Sequence, residues 1–233
     1  MINNIQERRA IILYDGSASD IPGVERDVRN YDIFLRSSYG GSWKPHEIIQ
    51  LDVKKHSRAA LLLKCRAYAG KYLLLIYVGH GTQDGSGNTS FSVKDRKWCS
   101  ISELEHFSRK QVTIVDCCRV WSETLIPESV MEKMASAKTG DTSTTFISLL
   151  NKAKEQTLTI YACSPNQFAS DTPSYSTYLI SRACEELQRK PIDCISIRRA
   201  HELASNAIAH LQTPEICLYS DAIGYDIPFA IPL

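Results

Sequence analysis

The feature that most limits the fold of this chain is a regular alternation of short apolar runs with amphipathic stretches. Arg9–Tyr14, Lys71–Val78, Gln111–Val115 and Thr157–Cys163 are short and dense in Val, Ile, Leu and Tyr, the pattern of strands covered on both faces. Between them, apolar residues recur at helical spacing, as in Pro22–Ser38, where Val24, Val28, Tyr31, Phe34 and Leu35 share one stripe. Ser57–Ala69, Phe146–Lys154, Tyr175–Arg189 and Ile195–Leu211 read as further helices, and Ser102–Phe107 as a short one. Trp43–Leu51 and the tail Thr213–Leu233 read as extended, and Asp84–Ser90 as a loop. Strands alternating with helices predict an α/β fold with a mostly parallel sheet between helical layers. Nothing linker-like divides the 233 residues, so a single domain over 1–233 is expected.

Composition removes several classes of function. A net charge of +1 gives no electrostatic ground for nucleic acid or an anionic membrane as partner. The longest apolar run, Tyr72–Val78, is far too short to span a bilayer, and the opening MINNIQERRA has no apolar signal core. A cytoplasmic protein is expected. None of the eight cysteines stands in a C-x-x-C pair, which argues against zinc or thioredoxin-like chemistry. Reduced thiols, mostly small buried hydrophobes, are the default reading.

In a parallel α/β sheet, catalytic and binding groups cluster where the strands end at their carboxyl side. His80, between Gly79 and Gly81, follows one apolar run, and Cys117-Cys118 follows another. A thiol nucleophile needs an imidazole partner, and backbone N–H groups such as those of Gly81 and Cys118 can hold an oxyanion. The bland alternatives are a turn histidine and two core-filling cysteines. If the two runs are neighbouring strands, both groups face one cleft.

Five segments add a resemblance. Tyr77-Val-Gly-His-Gly-Thr-Gln83 resembles the Y-S-G-H-G-T-Q segment of metacaspases, and Asp116-Cys-Cys-Arg119 is similar to their D-S-C-H and to the Q-A-C-R of caspases. Gly23-Val-Glu-Arg-Asp-Val28 resembles G-C-x-N-D-V. Ala162-Cys-Ser-Pro-Asn-Gln-Phe-Ala-Ser-Asp171 resembles G-C-x-x-x-Q-x-S-A-D. Leu211-Gln-Thr-Pro-Glu215 with Asp226-Ile-Pro-Phe229 is similar to the Q-x-P-Q and Q-P-F ending. The segments run in the family's order along nearly the whole chain.

The resemblance implies a caspase-like three-layer α/β/α sandwich and a cysteine endopeptidase acting on protein substrates. Cys118 would be the nucleophile, His80 its acid/base partner, and Gly81 with Cys118 the oxyanion donors; Cys117, in place of the family's serine, would be packing. Asp27 and Asp116 would line the pocket for the residue before the cleaved bond, favouring Arg and then Lys. Val78 and Val24 replace polar or thiol residues of that pocket. A large-subunit-like part would cover about 1–122, a linker 123–156 and a small-subunit-like part 157–233. Within the polar stretch Glu123–Thr145, expected to be mobile, Lys133 and Lys138 are candidate processing sites, for activation by linker cleavage, a protease or another regulatory protein. Many metacaspases need calcium, but Gly85–Lys97 offers only Asp95 among the acids, so no calcium, metal or other cofactor is expected. Compact proteases of this kind resemble those of bacterial defence systems. The alternatives are a catalytically silent scaffold and a peptidase specific for Asp.

Overall fold

A computed structural model describes residues 7–17, 23–83, 88–118, 140–167, 169–170, 173–219 and 225–232, with Cys118 described through its backbone alone. The strands are β1 (Arg8–Tyr14), β2 (Ile48–Asp52), β3 (Tyr72–His80), β4 (Thr82–Gln83), β5 (Thr89–Ser92), β6 (Trp98–Ser100), β7 (Lys110–Cys118), β8 (Gln156–Tyr161), β9 (Ile195–Ser196), β10 (Glu215–Leu218) and β11 (Pro228–Ala230). The helices are α1 (Gly23–Arg36), α2 (Arg58–Tyr68), α3 (Ser143–Lys152), α4 (Tyr175–Arg189) and α5 (Ile197–Ile208).

A six-stranded sheet in the order β10-β8-β7-β3-β1-β2 forms the centre. All its pairings are parallel except that of β10 with β8. The apolar runs are continuous because both faces are covered. Ala10, Ile12, Leu74, Ile76, Val112, Ile114, Leu158 and Ile160 face a core shared with α1, α3, α4 and α5. Ile11, Leu13, Leu73, Leu75, Tyr77, Val115 and Cys117 face the other layer, built by α2 and the small sheet β4-β5-β6. The expected α/β/α sandwich with a mostly parallel sheet is the architecture found.

The chain runs from β1 outward to β2 and then returns past β1 to place β3 on the opposite side. The sheet therefore reverses its winding between β1 and β3. Crevices open at such switch points, outside the carboxyl ends of the strands.

Several boundaries differ from the sequence reading. Strand β3 runs two residues and β7 three beyond their apolar runs, because pairing continues through Gly79↔Cys117 to His80↔Cys118. The glycine-flanked segment around His80 thus begins inside the ladder. Ile101–Leu104 forms a 3-10 turn with a capping box from Ser100 and Glu103, where a short helix was expected at 102–107. Of the stretch expected to be mobile, Ser143–Thr145 opens α3 instead; Lys133 and Lys138 lie outside the described residues.

Arg8, fully buried at the start of β1, ties the sheet to its surroundings. Its guanidinium donates to both Glu47 carboxylate oxygens (3.1 and 3.0 Å) and to the Gly41 carbonyl (3.0 Å), and lies 4.5 Å from the Trp43 ring centroid. Such a pair is tolerated because its charges are matched and its donors occupied; removing one partner leaves a stranded ion. Glu47→Ala is expected to lower unfolding free energy by about 3–5 kcal/mol, read from denaturant titration.

Candidate active site

His80 and Cys118 end adjacent strands and are direct partners across the ladder. The expectation that their two runs are neighbours holds, and backbone pairing alone brings the two positions together at the sheet's carboxyl edge. Two steps earlier in register, Val78 (2% exposed) stands directly opposite Asp116.

The His80 backbone is fixed from two sides. The Tyr77 hydroxyl donates to the His80 carbonyl (2.5 Å), and the Tyr77 ring stacks on Phe91 of the small sheet, centroids 4.2 Å apart. Before it, Gly79 has φ +149°, and a Cβ there would stand 2.7 Å from the Asp15 Cβ and 3.0 Å from the Tyr77 hydroxyl. Only glycine fits this approach. Asp15 is itself anchored. Its Oδ1 accepts from the Ser17 N–H (3.1 Å) and hydroxyl (2.8 Å), and Lys54 Nζ lies 3.2 Å from Oδ2. His80 is partly exposed.

Asp27, from the first turns of α1, and Asp116, from β7, converge on the start of α4. Ser174 caps that helix: its hydroxyl accepts from the Thr177 N–H (3.4 Å) and donates to Asp27 Oδ1 (2.8 Å). The Ser176 N–H donates to Asp116 Oδ2 (3.0 Å), and the Ser174 and Ser176 hydroxyls are 2.8 Å apart. Both carboxylates therefore meet the positive end of a helix dipole. Arg26 Nε adds a 3.3 Å contact to Asp27 Oδ1. Burial still dominates and pushes the Asp27 carboxyl above its usual range, against the lowering effects of Arg26 and of the Ser174 and Ser176 hydroxyls. Tyr31, fully buried, faces both acids; burial and then the Asp116 charge hold its phenol well above the ordinary value. Behind the site, the Tyr175 hydroxyl shares a 2.8 Å hydrogen bond with His201 Nδ1, and burial drives the imidazole down to about 4.

Cys117 is buried at 3% with Tyr77 and Phe91 in the second core. Burial pushes the Cys65, Cys99 and Cys184 thiols up to about 12, so they stay protonated and unreactive. The seven cysteines with described side chains are all free of disulfides. Among the described residues, no group of three or more His, Cys, Asp or Glu side chains is arranged to hold a metal ion. No helix among them is long and apolar enough to cross a membrane.

The sequence reading singled out His80, Cys118, Val78, Asp27 and Asp116, and the fold gathers these positions at one edge. It missed Tyr77, Asp15, Arg26, Tyr31, Ser174 and Ser176 as parts of the site. Of these, only Ser174, ahead of a strongly periodic helix, carried a legible signal, that of an N-cap.

The family model for the caspase domain matches residues 7–220. No curated protein matches the chain. Solved structures similar to it include a protein from Geobacter sulfurreducens, at 17% identity and TM-score 0.55, covering 97% of this chain and 100% of that one. Caspase-1 from Spodoptera frugiperda is 15% identical with TM-score 0.54, covering 92% and 89%. The Drosophila initiator caspase Dronc is 12% identical with TM-score 0.54, covering 95% and 82%. At such identities these likenesses speak for the fold.

Two outcomes are expected. Gly79→Ala forces a side chain into an occupied space at positive φ, and should lower stability by about 2 kcal/mol in thermal or chemical unfolding. Asp27→Asn removes a carboxyl whose native pKa is raised. The native state favours its protonated form, so ionisation disfavours folding as pH rises from the ordinary value of 3.8. The difference in Tm between Asp27→Asn and wild type should therefore move in favour of the variant over that rise.

Proposed function

The chain belongs to the caspase-domain family, and on that premise we propose that it is a cysteine endopeptidase cutting protein substrates after Arg, and less readily after Lys. The observation that carries this reading is the ladder pair His80↔Cys118 beside two acids converging on one helix start.

In the proposed mechanism, His80 takes the Cys118 thiol proton, and the thiolate attacks the carbonyl carbon of the scissile bond. The N–H groups of Gly81 and Cys118 stabilise the oxyanion. His80 returns the proton to the departing amine, leaving a thioester, and then activates the water that releases the acid product and the free thiol. Asp27 and Asp116 receive the cationic side chain that precedes the cleaved bond. Two carboxylates favour a guanidinium, which can engage them with a planar set of donors. Caspases select Asp with basic residues, whereas acids stand here.

Other parts of the proposal rest on the sequence resemblance. They are a division near 123–156 into large- and small-subunit-like parts, activation by a cut near Lys133 or Lys138 or by another protein, activity without calcium, a cytoplasmic setting and a place in bacterial defence.

The test is initial cleavage rates on matched fluorogenic peptides ending in Arg, Lys or Asp, with calcium and with chelator. Arg peptides should be cut fastest, Cys118→Ala should abolish the activity, and chelator should leave it intact. Cleavage after Asp would overturn the pocket assignment. If the purified chain is silent and nicking between Lys133 and Lys138 restores nothing, the scaffold reading replaces this one.

A further inference from the structure

Resting on the acidic-pocket reading above, we propose that Arg26 is an internal occupant of that pocket. Its guanidinium holds the place at Asp27 that a substrate's Arg or Lys side chain must take, and substrate binding exchanges one cation for another.

The contact is not one that helix geometry supplies. Neighbouring residues on a helix project about 100° apart and do not face each other. Arg26 therefore has to bend across the first turns of α1 to bring Nε within 3.3 Å of Asp27 Oδ1. What draws it is a carboxylate whose side chain is only 6% exposed, against 26% for Arg26. An unpaired buried charge is strongly unfavourable, so a cation stays on Asp27 until another arrives. Among the described residues, Arg26 is the cation paired with it. The oxygen it contacts is the one that accepts from Ser174, so the guanidinium sits at the seam between α1 and α4, where the two acids meet. A long stem and a quarter-exposed head let Arg26 withdraw into water when displaced. In the motif G-C-x-N-D-V that this segment resembles, the corresponding residue is a neutral Asn, so the internal cation is a departure of this chain.

Competition reduces apparent affinity by the fraction of molecules whose pocket is vacated. For one partly exposed ion pair, the expected effect is about two- to fivefold. Removing Arg26 also takes away the main influence that lowers the Asp27 carboxyl. The other titratable groups facing this acid network are Tyr31, Asp116 and Tyr175, none of them cationic. Without Arg26, Asp27 ionises at higher pH, so binding of a cationic side chain fails at a higher pH as acid is added.

The experiment measures the Kd of an Arg-ended peptide by calorimetry, in the Cys118→Ala background, with Arg26, Arg26→Asn or Arg26→Lys, across pH. Working without turnover separates this inference from any question of activity, and thermal melts verify folding. Arg26→Asn should bind about two- to fivefold tighter on the alkaline plateau, with its acid limb displaced upward, and Arg26→Lys should restore most of the competition. Arg peptide binding that is equal or weaker in Arg26→Asn overturns the inference and leaves the acidic pocket standing. No binding of Arg peptide to any variant overturns both. An Asp-ended peptide that binds with Arg26 and is lost with Arg26→Asn assigns the guanidinium to recognition of an acidic side chain, and overturns both as well.

Discussion

The parallel pairing of β3 with β7 is the constraint on which the rest of this molecule depends. It runs unbroken from Tyr72↔Lys110 to His80↔Cys118 between two strands enclosed by their neighbours in the sheet. A one-residue slip would exchange the two faces, sending Leu74, Ile76 and Val78 toward the layer shaped for Leu73, Leu75 and Tyr77. Register is thus enforced along its whole length by burial on both sides. The separation of His80 and Cys118 follows from ordinary strand spacing, about 4.8 Å, without any dedicated loop to set it.

The second organising element is the start of α4. Two carboxylates buried near one another repel and resist desolvation, and a fold can keep them only by surrounding them with donors. The Ser174 cap, the Ser176 N–H and the helix dipole supply those donors from one short segment. The residual upward pressure on Asp27 shows that the compensation is incomplete.

How much of this was legible depended on whether the signal was local. Tyr175–Arg189 matched its helix end to end, because a serine cap and a strong period act within a few residues of each other. The central strands were equally clear in their apolar runs. Their last two residues were not, since Gly79, His80, Cys117 and Cys118 are strand-like only through each other. The small sheet β4-β5-β6 passed as loop and irregular chain: its strands span two to four residues, too few for alternation to register. In the candidate site, types and motifs pointed to His80, Asp27 and Asp116, whereas the contacts of Tyr77, Asp15, Tyr31 and Arg26 reside in distances between elements. No spacing rule announces that a tyrosine three residues before a histidine will hold that histidine's carbonyl.

The bond from Ser174 to Asp27 joins positions 147 residues apart in the chain. The walls of the acidic site are therefore drawn from the first and last thirds of the polypeptide, and the strand carrying Asp116 lies between them. During synthesis, the histidine strand and the cysteine strand emerge long before α4 does. A growing chain can pair its central strands, yet Asp27 and Asp116 lack their Ser174 and Ser176 donors until most of its length has been made. The bracing of these two buried acids is the last feature the fold acquires, and it arrives together with α4.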